Sequence, residues 1–180
     1  MMNFKLLRLI FAGLVLLAAC SSLSDDGVEG AAKITLETNP ANSKLPSCPV
    51  TQPPKTAFVP PKPWPAQPPG ADDFWFGDRD LWTALPSDGS WPQLALGEKF
   101  FWWSEEFDVS EDETPDLTVT ARRLDREVPS LTISGATNAY HESFNWAMLV
   151  GVELASPGCW EFTGQYNDHQ LSFVLWVPEG

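Results

Sequence analysis

Catalytic equipment is what this sequence has least of. Its activating and soft-ligating side chains amount to two histidines, His141 and His169, and three cysteines. It contains no Gly-x-Ser-x-Gly elbow, no His-Glu-x-x-His and no phosphate-cradling glycine loop. Glu105 and Glu106 are chain neighbours, and neighbours on a strand diverge instead of flanking one glycosidic bond. The expectation is therefore no enzyme, no catalytic residue, no cofactor and no metal centre. Cations are scarce as well: 11 Lys and Arg stand against 24 Asp and Glu, a net charge of −13. Such a chain is repelled by phosphate backbones, which excludes nucleic acid as a partner. Also missing is a run long enough to span a bilayer, because the apolar stretch at 9–17 is about half the roughly 20 residues required.

That short run belongs to a leader with the three parts of a secretory signal: basic Lys5 and Arg8, the apolar 9–17, and small Ala18 and Ala19. The ending Leu17-Ala18-Ala19-Cys20 resembles the lipobox of bacterial lipoproteins. The resemblance implies a diacylglyceryl group on the Cys20 thiol, cleavage in front of it, and at least two acyl chains, enough for a lasting membrane anchor. Ser21 and Ser22, with no Asp directly after Cys20, resemble the pattern sent to the outer membrane in cells that have one. The expected organisation begins with a signal peptide at 1–19 and an extracytoplasmic, lipid-anchored life in the cell envelope. Removing Lys5 and Arg8 leaves 9 basic against 24 acidic residues, a net of −15, so lipid and not the polypeptide must hold the membrane. With Cys20 acylated, Cys48 and Cys159 remain as a pair in a compartment that permits disulfides. A bridge is expected, with two separate buried thiols as the alternative.

Residues 21–47 are mostly small and polar, apart from a β-like patch at Ile34-Thr35-Leu36. Between 40 and 69 there are eleven prolines, which remove backbone donors and favour extended chain. Residues 20–70 thus read as a lipidated, disordered Pro-rich stalk, rising about 3.1 Å per residue where extended. If Cys48 is bridged, part of that stalk is strapped to the domain. Residues 71–180 read as the folded unit. Apolar and polar residues alternate over 144–154 and 117–122, the signature of strands. Residues 159–166 and 171–177 are aromatic and β-branched, with turn formers Asn167, Asp168 and His169 between them, so a hairpin is expected. Shorter candidates at 81–85, 99–104 and 131–134 bring the count to about seven strands. The fold class is all-β, an antiparallel β-sandwich of immunoglobulin-like size, with a small β-barrel as the alternative.

Several segments read together: Cys48-Pro49-Val50-Thr51, Leu81-Trp82-Thr83-Ala84-Leu85, Lys99-Phe100-Phe101-Trp102-Trp103, Leu117-Thr118-Val119-Thr120-Ala121-Arg122-Arg123-Leu124-Asp125, and Pro157-Gly158-Cys159-Trp160-Glu161-Phe162-Thr163-Gly164 followed by Leu171-Ser172-Phe173-Val174. They resemble a family of uncharacterised secreted and lipid-anchored bacterial proteins. The likeness covers most of residues 48–177, and the two cysteines fall where that family's do. It implies export, the cysteine pair and a β fold, and no catalytic residue. The chain departs from the family's pattern in the long acidic loop after Trp103.

Nine tryptophans raise the prospect of stacking on sugar rings. Trp102 and Trp103 are neighbours in an expected strand, so only one can enter a single core, and Trp103 is the candidate ligand-binding ring. It would lie outside, in a second layer, or beneath the Pro-rich strap, while Trp82, Trp146, Trp160 and Trp176 fill the core. Arg122 and Arg123 also point oppositely. Pairing with Asp125 or Glu161 is the favoured reading, and a ligand carboxylate the other. The seven carboxylates at Glu105, Glu106, Asp108, Glu111, Asp112, Glu113 and Asp116 read as a solvated loop, since their spacing fits no calcium loop. The functional expectation is a non-enzymatic binding or structural module of the envelope. Its partners are the membrane through lipid and an envelope protein or glycan. The alternatives are a carbohydrate-binding module and a calcium-stabilised domain.

Overall fold

Alternation of apolar and polar side chains sets the strands. In the computed structural model, which describes residues 48–92 and 97–179, nine strands form and no α-helix is present among the described residues. The leader at 1–19, Cys20 and the Ile34–Leu36 patch lie outside the described residues. The strands are β1 (Asp73–Gly77), β2 (Trp82–Pro86), β3 (Glu98–Trp103), β4 (Leu117–Arg123), β5 (Leu131–Ile133), β6 (Thr137–His141), β7 (Asn145–Val152), β8 (Gly158–Tyr166) and β9 (His169–Val177). In β4, Leu117, Val119 and Ala121 are buried while Thr118, Thr120 and Arg122 face outward, as period two requires. The β8–β9 hairpin turns through Asn167 and Asp168, with Asn167 at φ 51°, a left-handed conformation that asparagine tolerates. His169 is the first residue of β9 and not part of the turn.

Two strands, β1 and β6, go beyond the expected seven. β1 reads Asp-Phe-Trp-Phe-Gly, an aromatic run without alternation, and β6 reads Thr-Asn-Ala-Tyr-His, too polar to announce a strand. Both are edge strands, where one side of the ladder is free and the sequence need not serve burial on both faces.

The strands form two antiparallel sheets in the orders β1-β2-β3-β7-β6 and β5-β4-β8-β9. They pack face to face as an open β-sandwich, not a barrel. The core between them gathers Phe100, Trp102, Val119, Met148, Val150, Phe162, Phe173 and Leu175. Trp102 approaches β8 so closely that a Cβ on Gly164 would lie 2.4 Å from its ring. Glycine there is the gap into which the indole seats.

A second apolar layer covers the outer face of the five-stranded sheet. Trp75, Trp82, Trp103 and Ala147 are buried there, and Phe58 and Trp64 of the Pro-rich segment pack over them. Trp64 meets Trp82 edge to face with centroids 5.0 Å apart, and Trp75 meets Trp103 in the same way at 5.0 Å. The boundary expected at residue 71 therefore moves, because residues 48–70 lie against the sandwich instead of standing as stalk. Their proline-rich backbone cannot pair as a strand, but side chains and the staple at Cys48 hold it. Cys48 and Cys159 are bridged, with Cα atoms 5.5 Å apart, and Thr51 N–H donates to Val174 O at 2.8 Å.

Candidate functional site

Trp103, expected as the ligand-binding ring, is only 1% exposed. It occupies the outer layer among Trp75, Phe101 and Phe144, and its Nε1 donates to Phe144 O at 3.3 Å. A ring closed over in this way cannot stack on a sugar, so that role is withdrawn. The tryptophans assigned to the core are also redistributed. Trp160 is in the inter-sheet core, Trp82 is in the outer layer, Trp176 is half-buried, and Trp146 is exposed.

Arg122 and Arg123 point oppositely and both are paired. Arg122 directs Nε and Nη2 at one oxygen of Glu161, at 3.0 and 2.8 Å, across the β4–β8 register. Arg123 is buried and binds Asp125 through two bonds of 2.6 and 3.0 Å, with a third to Ser156 Oγ and its guanidinium 5.9 Å from the Trp160 ring centroid. The Arg123 bonds hold the Asp125 carboxyl below the ordinary aspartate range. Arg123 is satisfied in the interior and is not left for a ligand carboxylate, whereas Arg122 is paired at the surface with its side chain 59% exposed. They sit at the disulfide end of the sandwich, because Arg123 lies opposite Trp160, next to Cys159. Beside them is an apolar groove of about 380 Å³ between Val128, Leu131, Ala155 and Trp160, whose Ser156 hydroxyl is already taken by Arg123. Trp103 and the arginines are thus not brought together.

The acidic loop joins β3 to β4 at the opposite end. Several of its carboxylates are tied into the fold. Asp108 accepts from Ser110 N–H and Oγ, Asp112 accepts from the Tyr166 hydroxyl, and Glu106 accepts from Asn167 Nδ2 at 3.0 Å and faces His169 Nε2 at 3.2 Å. Burial beside Asp112 pushes the Tyr166 hydroxyl up to about 12. The Glu106 contact raises the His169 pKa, and Asp80 stands 3.7 Å from its other ring nitrogen. Among the described residues, no three His, Cys, Asp or Glu side chains converge as a metal site would need. The histidine's neighbours here are carboxylates, which hold it in place as a clamp between the loop and the β8–β9 hairpin.

The side chains that remain uncommitted were not among the sequence candidates. Tyr140 of β6 and Trp146 of β7 face each other across the register, with ring centroids 5.0 Å apart and planes at 48°. Tyr140 is 59% exposed and Trp146 39%. Elsewhere the domain buries indoles even where Nε1 finds no hydrogen-bond partner, as for Trp75, Trp82 and Trp102. Leaving this pair in water is the departure. The Trp64 Nε1 donates to Trp146 O at 3.3 Å, so the strap fixes the backbone under one ring. On the other side, Asn138 Nδ2 donates to Glu113 O at 3.2 Å and brings the acidic loop against β6. The sequence signal was there in principle: Tyr140 is a lone aromatic in a polar strand, and Trp146 follows a hairpin turn closed by Asn145 at φ 62°. Compared with protein-family models, with curated proteins and with solved structures, the chain matches none.

Proposed function

We propose that this chain is a non-enzymatic lipoprotein of the cell envelope, exported, anchored through lipid on Cys20, and binding a partner through the exposed edge at Tyr140 and Trp146. The single observation that carries the binding reading is that aromatic pair, solvent-exposed while the other large rings among the described residues are buried or half-buried. The resemblance of residues 17–20 to a lipobox supports the anchor, and the Cys48–Cys159 bridge suits an oxidising compartment. A tether that reaches the domain at Cys48 joins it at the end away from the acidic loop. About 23 Å of strand separates Cys159 from Tyr166, which puts Cys48 at the end of the sandwich away from the acidic loop.

Cys20→Ala tests the anchor. The variant is expected in the soluble extracytoplasmic fraction, whereas the native chain sediments with membranes and carries acyl mass on an N-terminal cysteine. Continued membrane residence of the variant would remove the lipoprotein reading.

A further inference from the structure

Among the described residues, β6 is a free sheet edge. The comparable edge in the four-stranded sheet, β9, is closed: Thr51 bonds Val174, and residues 89–91 pair with Trp176. Along β6 no strand lies on the outer side among the described residues. Its sequence, Thr137–His141, carries none of the lysines, prolines or bulges that usually blunt such edges. The exposed face of Tyr140 and Trp146 stands at this edge, and the rings offer cation–π as well as apolar contact. The surroundings set the sign of charge. Asn138 bonds the Glu113 main-chain carbonyl, Glu142 follows β6 directly in the hairpin turn, and the Glu111, Glu113 and Glu142 side chains are exposed. Arg79, in the β1–β2 turn at the far side of the sheet order from β6, pairs with Glu105 at 3.5 Å. Lys62 lies in the strap two residues before Trp64, whose Nε1 bonds Trp146 O.

We infer that β6 docks an extended, basic segment of another envelope protein by strand addition, with its backbone pairing along Thr137–His141 and a lysine or arginine seated over the Tyr140–Trp146 pair. Main-chain hydrogen bonds supply the affinity, and the flanking carboxylates select a cationic partner. A sugar could stack on one ring only, because planes inclined at 48° offer no common face, and it would leave the main-chain groups of the edge unpaired. This inference rests on the binding reading above and names its partner class.

The test uses the full-length chain in detergent and three labelled ten-residue probes: alternating lysine and valine, alternating glutamate and valine, and the lysine peptide N-methylated at alternate residues. The lysine peptide is expected to bind, to add hydrogen-exchange protection at residues 137–141, and to weaken with salt. The glutamate and N-methylated peptides, and the lysine peptide on Tyr140→Ala or Trp146→Ala, are each expected to bind about tenfold more weakly. Both rings are exposed, so unchanged circular dichroism verifies that these variants fold. Equal binding of the N-methylated peptide, protection elsewhere, or no binding of the lysine peptide overturns the proposal. Chitin oligomers that protect 137–141 and compete with the peptide would reassign the surface to glycan. Failure here with Cys20→Ala still released from membranes removes the partner class alone. Membrane-resident Cys20→Ala removes the anchor instead.

Discussion

Reducing the Cys48–Cys159 bridge is the perturbation whose size follows most directly from the fold. The two cysteines are 111 residues apart in sequence, and opening a loop of that length returns about 4.8 kcal/mol of entropy to the unfolded chain. For a domain of roughly 130 residues the unfolding entropy is about 0.27 kcal/mol/K, so the midpoint falls by as much as about 18 °C. Residual structure in the unfolded ensemble shrinks the effect, so about 18 °C is the upper figure. The native strap should stay docked, because Thr51 pairs with Val174 and Trp64 packs on Trp82 independently of the sulfurs. The loss is therefore expected in the unfolding midpoint and not in the native tryptophan emission. Thermal melts of the chain carrying Cys20→Ser, with and without reductant, measure it, and Cys48→Ala/Cys159→Ala should reproduce the reduced midpoint. Thiol counting must show the bridge open. A midpoint shift under about 4 °C in a verified reduced sample would refute the reasoning.

Gly164→Ala should cost about 1–3 kcal/mol, read from chemical denaturation, because the new Cβ meets the buried Trp102 ring; an unchanged midpoint would mean that the indole can retreat. Asp125→Asn breaks a buried ion pair, and about 3 kcal/mol is expected at neutral pH. The Asp125 pKa is lowered in the fold, so its stabilisation is present above the ordinary aspartate range and is lost as pH falls through the folded value. The gap between the variant and the native chain should accordingly close in strong acid. His169 has its pKa raised, so its contribution is full below its ordinary value near 6.5 and is lost as pH rises through the folded one. Glu106 has its pKa lowered and contributes above its ordinary 4.5. His169→Ala should then lower the melting temperature at pH 5.5 and make less difference at pH 8.5, and an equal effect at both would count against the ion pair.

Local pattern was enough to read the long strands. The alternation in 117–122 became β4, that in 144–154 became β7, and the two aromatic-rich segments around Asn167 became the β8–β9 hairpin, with ends shifted by a residue or two. Each of these strands carries its burial pattern in its own side chains, which is why sequence sufficed. β6 was illegible for the complementary reason: none of its five side chains is buried, so it has no alternation to display, and its partner β7 supplies the register.

The cysteine arithmetic, the acidic balance, the all-β class and the opposed directions of Trp102 and Trp103 were determined by the sequence alone, because they depend on residue type and on the two-residue period of a strand. Only the tertiary structure decided that Trp103 is buried in the outer layer while Trp146 is exposed, that both arginines are paired, and that an aromatic pair borders a sheet edge with no strand beyond it among the described residues. Those outcomes depend on which distant segments come to lie together. That is set by the packing of two sheets and the Cys48–Cys159 staple, and no local pattern encodes it.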